Sequence, residues 1–273
     1  MNKSITLWIV LSVFAVSIAA RIYTHRAKGR LEKIVADVRN EDRRTQNISD
    51  HNNNAAPGEK VDTWDRSLTM DAALKNMTQA EFIDWVNTGD PNAAYLMGRE
   101  YYDGALKQDY KMAARYFHSA AVQSHSQALY YLATMSLRGE GIAQDASASM
   151  KFLLDAIELN NPFAMVVMGM SVEVSDDYEL AIDLYSRAMK QFHGPAFFQM
   201  AKLALDGRGM EKDVELAYAY LNLAVTYSEN KHDRDQLASL RDSLATSLGP
   251  DRLIEAQNLT HHIRDDLRNP SKQ

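Results

Sequence analysis

The stretch 137-LRGEGIAQDASASMKFLLDA-156 decides how this chain is read, because it is written twice. Its second copy is 205-LDGRGMEKDVELAYAYLNLA-224. There Leu137, Gly139, Gly141, Asp145 and Ala156 are answered by Leu205, Gly207, Gly209, Asp213 and Ala224, each pair 68 residues apart. Each copy reads as the end of one helix, a glycine turn that reverses the chain through positive φ, and a second helix that begins at the aspartate. A repeated helix pair governs the whole fold, so the period is sought before any single element.

Aligning outward from the turn gives four units, residues 93–121, 128–157, 164–189 and 196–225, with the turn acid at Asp109, Asp145, Asp177 and Asp213. Those acids are 36, 32 and 36 residues apart, and the two quoted copies are units two and four. The first half of each unit opens on a small residue (Ala93, Ala128, Ala164, Ala196). Four and five places later stand Met97-Gly98, Leu132-Ala133, Met168-Gly169 and Met200-Ala201. Small residues one turn apart let a second helix approach, and the apolar one fills the groove. Each turn aspartate suits the N-cap of the second helix, where it accepts orphan amide hydrogens and meets the positive dipole end. The second helix is predicted to carry a stripe of Ala113, Tyr116 and Ala120; Ser149, Phe152 and Ala156; Ala181, Leu184 and Ala188; Ala217, Tyr220 and Ala224. No unit buries both helices alone, so neighbours must stack into a solenoid. Unit one keeps Gly104 but lacks the second glycine; unit three loses both glycines and about four residues at 172-VEVSDDYEL-180, which predicts a tighter turn.

These units resemble Sel-one-like repeats, α/α relatives of the tetratricopeptide repeat. The shared pattern is a small residue, Leu-Gly, Tyr, Gly-x-Gly-Val, an Asp and a paired Ala-Ala. The resemblance covers residues 93–225. It implies an all-α fold: a right-handed α/α superhelical solenoid of four repeats with terminal capping helices. It also implies first helices that line a concave surface and a non-catalytic role in binding another protein. On that surface the positions three and six beyond each leading alanine differ from unit to unit: Leu96 and Arg99, Tyr131 and Thr134, Val167 and Met170, Gln199 and Lys202. These eight are expected to be exposed and to read the partner.

The flanks fit an array with ends to cover. Upstream, 78-TQAEFIDWVNTG-89 opens with a capping box, Thr78 and Glu81, and its Phe82 and Trp85 are placed to cover the first repeat. Downstream, residues 233–267 read as two helices broken at Gly249-Pro250, with proline at the first helical position. They resemble the capping pair that closes bacterial arrays of this kind, with Gly249 in place of the usual cap threonine. The organisation read here is an anchor or signal segment over 1–24, a basic helix and linker over 25–67, an N-terminal cap over 68–92, four repeats over 93–232 and capping helices over 233–268.

Composition agrees with helices: six prolines and twelve glycines in 273 residues, 46% hydrophobic and 24% charged. Absence of cysteine excludes disulfides, cysteine zinc sites and thiol nucleophiles. Net charge is −6 but uneven: residues 1–46 hold 9 Lys or Arg against 4 Asp or Glu, the remainder 21 against 32. An acidic body argues against nucleic acid as a partner, since phosphate binding needs basic patches.

Residues 5-ITLWIVLSVFAVSIAA-20 carry no charge over sixteen places, roughly 24 Å of helix against a ~30 Å hydrocarbon core. A membrane anchor is one reading; a secretory signal is the other, because Ser17-Ile18-Ala19 has the form of a cleavage site. Only Lys3 precedes the run, whereas Arg21, Arg26, Lys28, Arg30 and Lys33 follow it. That bias favours an uncleaved anchor, in a bacterial inner membrane, with a cytoplasmic body. The alternative is a periplasmic body, as an exported regulator. Residues 45–67, rich in Asn, Asp, Gly and Pro, read as a linker.

No catalytic pattern stands out: there is no phosphate loop, zinc helix or nucleophile elbow. The Gly-x-Gly pairs at 139/141 and 207/209 lack a third glycine and a preceding strand and recur with the repeat, so they are turns. No cofactor is expected and the eight histidines are scattered. A remaining alternative is an envelope enzyme or ligand receptor between the array and its caps.

Overall fold

The computed structural model describes residues 78–104 and 108–269, and all its regular elements are helices. The candidate anchor, the basic segment and the linker fall outside those residues. Eleven helices are described: α1 Gln79–Asn87, α2 Pro91–Asp103, α3 Tyr110–Val122, α4 Ser126–Arg138, α5 Ala146–Glu158, α6 Pro162–Glu173, α7 Tyr178–Met189, α8 Gly194–Asp206, α9 Val214–Thr226, α10 Lys231–Leu248 and α11 Pro250–Arg268. They fall into two compact units, one ending at Leu159 and the other starting at Asn160.

In the N-terminal unit α2 pairs with α3 and α4 with α5, while α3 also packs on α4 and α1 on α2. In the C-terminal unit α6 pairs with α7 and α8 with α9, α7 packs on α8, and α10 and α11 both lie against α9. Each unit therefore holds two of the repeated hairpins.

The turn aspartates cap as the sequence predicts. Asp109 Oδ1 accepts from the Lys111 and Met112 amides, at 3.0 and 3.1 Å, and Asp145 Oδ1 from Ser147 and Ala148, at 2.8 and 3.0 Å. Asp213 Oδ1 accepts from Leu216 at 2.8 Å, and Asp177, in the shortened unit, from Leu180 at 3.4 Å. The caps also close the hairpins through their own amides: Asp109 N–H donates to the Tyr101 carbonyl, Asp145 N–H to that of Ser136 and Asp213 N–H to that of Ala204. Thr78 and Glu81 form the reciprocal capping box, and α11 starts at Pro250 after Gly249.

Unit three has no glycine at its turn. Four residues separate α6 from α7, and Asp176 takes the left-handed conformation itself, φ 59°.

The second-helix stripe differs from the prediction in one register. The small members, Ala113, Ser149, Ala181, Ala217 and Ala120, Ala156, Ala188, Ala224, are all buried. Of the large ones only Leu184 is; Tyr116, Phe152 and Tyr220 are half-buried. The large residue that fills the hairpin in every unit stands eight places after the cap: Phe117, Leu153, Tyr185 and Leu221, each 2% exposed or less. One residue turns the side chain by about 100°, so the choice between adjacent positions depends on where the first helix sits. The first helix answers in kind. A Cβ on Gly98 would stand 2.6 Å from the Phe117 ring, and one on Gly169 would stand 2.4 Å from the Tyr185 ring. Units two and four carry Ala133 and Ala201 at that place and a leucine, not an aromatic, opposite.

Candidate interaction face

Phe117, fully buried, is the floor of an aromatic cluster built from α2, α3 and α4. Tyr131 stacks on it at 4.6 Å between ring centres, and Tyr95 and Tyr102 lie against it at 6.0 and 6.2 Å. Tyr131 in turn contacts Tyr95 at 5.9 Å and Tyr102 at 5.3 Å. Tyr95, Arg99 and Tyr102 follow one another at four and three residues, which puts them on one face of α2. Gly98 lets the Phe117 ring come close enough to carry all three tyrosines.

Polar groups finish the outer side. The Arg99 guanidinium lies close enough to the Tyr95 hydroxyl to act on it electrostatically. Arg99 extends to Asp103, Nη2 to Oδ2 at 3.1 Å, with both side chains nearly half exposed. Tyr102 Oη donates to Glu140 Oε2 at 3.0 Å and accepts from Arg138 Nη1 at 3.3 Å. Burial raises the phenol of Tyr95 above its usual range, and Tyr131 adds to it; burial does the same for Tyr131 and, with the Glu140 carboxylate, for Tyr102. These phenols therefore stay protonated at neutral pH and offer hydroxyls and ring surface, the chemistry of recognition and not of proton transfer.

The eight residues expected to read a partner divide between the units. In the N-terminal unit Arg99 is exposed and comes together with Tyr131, which is half-buried. Thr134, also half-buried, spends its hydroxyl on the Tyr130 and Tyr131 carbonyls. Leu96, expected exposed, is only 7% exposed, although it stands two residues, about 200° of helix, from Gly98 and so on the other side of α2 from Phe117. In the C-terminal unit Val167, Met170 and Lys202 are half-buried. Gln199, also expected exposed, is 7% exposed and tolerates burial because Lys202 Nζ donates to its Oε1 at 2.8 Å. Sequence reasoning missed Tyr95 and Tyr102. Their spacing of seven around Arg99 was the available signal.

The C-terminal unit also has an open groove of about 790 Å³ between the start of α9 and α11, lined by residues that include Lys212, Glu215, Arg252, Glu255, Leu259 and His262. Glu215 and Arg252 pair across it, more than half of the arginine remaining in solvent, so the pair contributes little. No group of three His, Asp or Glu side chains among the described residues is placed to hold a metal. No helix among them is long and apolar enough to cross a membrane.

The model of the Sel1 repeat family matches residues 91–125, 126–161, 167–191 and 196–226, one match per hairpin. This chain carries four Sel1 repeats. Among solved structures it is similar to a Sel1 repeat protein from Oxalobacter formigenes, at 21% identity and a TM-score of 0.50, over 73% of this chain and 94% of that one. It is also similar to c5321, a protective antigen of uropathogenic Escherichia coli with an SLR fold, at 16% identity and a TM-score of 0.49, over 71% and 51% of the two chains. A third is the immunity protein Pa5087 from Pseudomonas aeruginosa, at 18% and 0.46, over 72% and 85%. These likenesses concern the fold. No curated protein matches the sequence. Sel1 repeats generally mediate protein–protein interaction and typically act as non-catalytic scaffolds.

Proposed function

We propose that the chain is a membrane-tethered, non-catalytic scaffold that holds a partner protein on the α2–α4 face of its N-terminal Sel1 pair. The observation that carries this reading is the patch of Tyr95, Arg99, Tyr102 and Tyr131 raised on Phe117. Tyrosine and arginine supply a large share of binding energy at protein interfaces, and here their positions are fixed before any partner arrives. Residues 5–20 supply the tether, and the basic residues that follow them favour a body on the cytoplasmic side of a bacterial inner membrane.

A photoreactive residue at Arg99 should capture one partner in intact cells, and Val122, 72% exposed on the second helix of the same repeat, should not. Tyr102→Ala should abolish capture at position 99 without unfolding the chain. Equal capture at 99 and 122 overturns the face. Reporters active on one side of the membrane, fused at residue 50, test the tether. An external signal there replaces the scaffold with an exported regulator.

A further inference from the structure

The first helix of each Sel1 repeat starts from a residue three places before its leading alanine: Asp90, His125, Asn161 and His193. Asp90 Oδ1 accepts from the Asn92 and Ala93 amides, and Asn161 Oδ1 from Ala164 at 2.9 Å. His125 does this work with its ring, Nδ1 accepting from Ala128 N–H at 3.2 Å. That bond assigns the lone pair to Nδ1 and the ring proton to Nε2. The same residue ties three helices together. Its backbone N–H donates to the Ala120 carbonyl at the end of α3, and its ring lies nearly flat on Tyr95 of α2, 4.5 Å away and inclined by 23°. An oxygen cap keeps its acceptor at any moderate pH. An imidazole cap does not.

We propose that His125 makes the joint between the first two repeats acid-labile: protonation at Nδ1 removes the acceptor of Ala128 N–H, sets a second donor against it, and releases the ring from Tyr95. Few charged groups face the ring. From α2 come the Asp90 carboxylate, which favours the proton, and the neutral Tyr95; α3 contributes the uncharged Ala120 carbonyl, and the next residues of α4 are Ser126 and Gln127. Burial outweighs both the ring's contact with its own backbone and Asp90, each of which favours the proton, and holds the seated ring down at about 4, against an ordinary 6.5. A cation stacked on Tyr95 would regain some energy, but a cation–π contact does not replace a lost buried cap and a desolvated charge. Because Tyr95 forms one edge of the aromatic patch, opening the joint dismantles that edge. The device itself holds whether or not a partner binds there.

Amide hydrogen exchange of the full chain reads the joint directly. A ring that binds its proton near 6.5 when released and near 4 when seated makes the open joint about 20-fold more populated at pH 5 than at neutral pH. The protection factor of the Ala128 amide should fall by that ratio in the wild type and in His193→Asn, and stay level in His125→Asn, which supplies the cap that Asn161 already provides elsewhere. The same drop in His125→Asn, or none in the wild type, overturns the proposal. Should His125→Asn fail to fold, titration of the His125 ring in the wild type by NMR decides: a midpoint well below 6 is required, and one near 6.5 refutes the device.

Discussion

Gly98 and Phe117 should behave as one unit of packing. In Gly98→Ala the new Cβ would sit 2.6 and 2.7 Å from two ring carbons of Phe117, so the ring must move. Phe117 has no free side, being buried with Tyr131, Tyr95 and Tyr102 resting on it. Overpacking of this kind costs about 1–3 kcal/mol, from which the better helix propensity of alanine returns about 1. Phe117→Leu alone leaves a partial cavity under Tyr131, at about 1–2 kcal/mol, below the 3–5 of a full truncation to alanine. The double variant rebuilds the Ala and Leu combination of repeats two and four, where Ala133 goes with Leu153 and Ala201 with Leu221. It should therefore cost less than the sum of the singles by about 1 kcal/mol or more, a coupling expected for side chains in direct contact. Urea unfolding of the four proteins at constant m-value measures this. Additivity within about 0.3 kcal/mol would mean that the ring yields freely and that glycine at 98 is not required by Phe117. The aromatic patch gives a second readout: Phe117→Leu should weaken partner capture at position 99 even where stability is restored.

Acid should destabilise the fold through two buried histidines, of which His125 alone caps a helix with its ring. Burial lowers His125 and His193 from 6.5 to about 4, so the unfolded chain takes up protons first. The stability from the neutral rings is complete above pH 6.5, is lost as pH falls from 6.5 to about 4, and changes no further below that, by up to about 3 kcal/mol per ring. Melting temperatures across that window should fall less steeply in the His125→Asn, His193→Asn double variant than in the wild type. Asp145→Ala removes the acceptor of two amides and should cost about 1 kcal/mol, measured by urea unfolding. The loss of helix capping should be smaller for Asp177→Ala, whose bond to the Leu180 amide is 3.4 Å long.

The sequence makes legible what is decided within one turn of chain. The four aspartates announce caps because an Asp at the turn between two helices has a local job, and all four do it. Gly249-Pro250 announces the break between α10 and α11 for the same reason. What depends on the lean of one helix against another is not written locally. Adjacent positions Tyr116 and Phe117 are both aromatic, and only the placement of α2 selects Phe117 as floor and leaves Tyr116 stacked on Tyr101 outside. Leu96 and Gln199 mislead similarly: each belongs to a position that varies between repeats, yet both are buried. Variation between repeats marks freedom from the common core pattern. It does not mark exposure.

Repeat three separates the two reasons for a glycine at these turns. Asp176 shows that a left-handed residue there need not be glycine: it adopts φ 59°, and its carboxylate accepts from the Tyr178 hydroxyl at 2.9 Å. Glycine at 176 would relieve about 1 kcal/mol of backbone strain and give back 0.5–1 through the entropy of the unfolded chain. Asp176→Gly should consequently change stability by less than about 0.5 kcal/mol. Gly141 has the same kind of φ, 71°, but its missing side chain faces α3: a Cβ would stand 2.1 Å from the Tyr110 carbonyl oxygen and 2.3 Å from its carbon. Gly139, φ 70°, would meet only the Gln144 Cβ at 3.2 Å. Alanine should cost about 1 kcal/mol at 139 and about 3 at 141, where backbone must separate from backbone. If 139 and 141 prove equal, conformation alone requires both glycines. If 141 is the costlier, the second glycine of repeat two is there to bring its turn onto the backbone of repeat one.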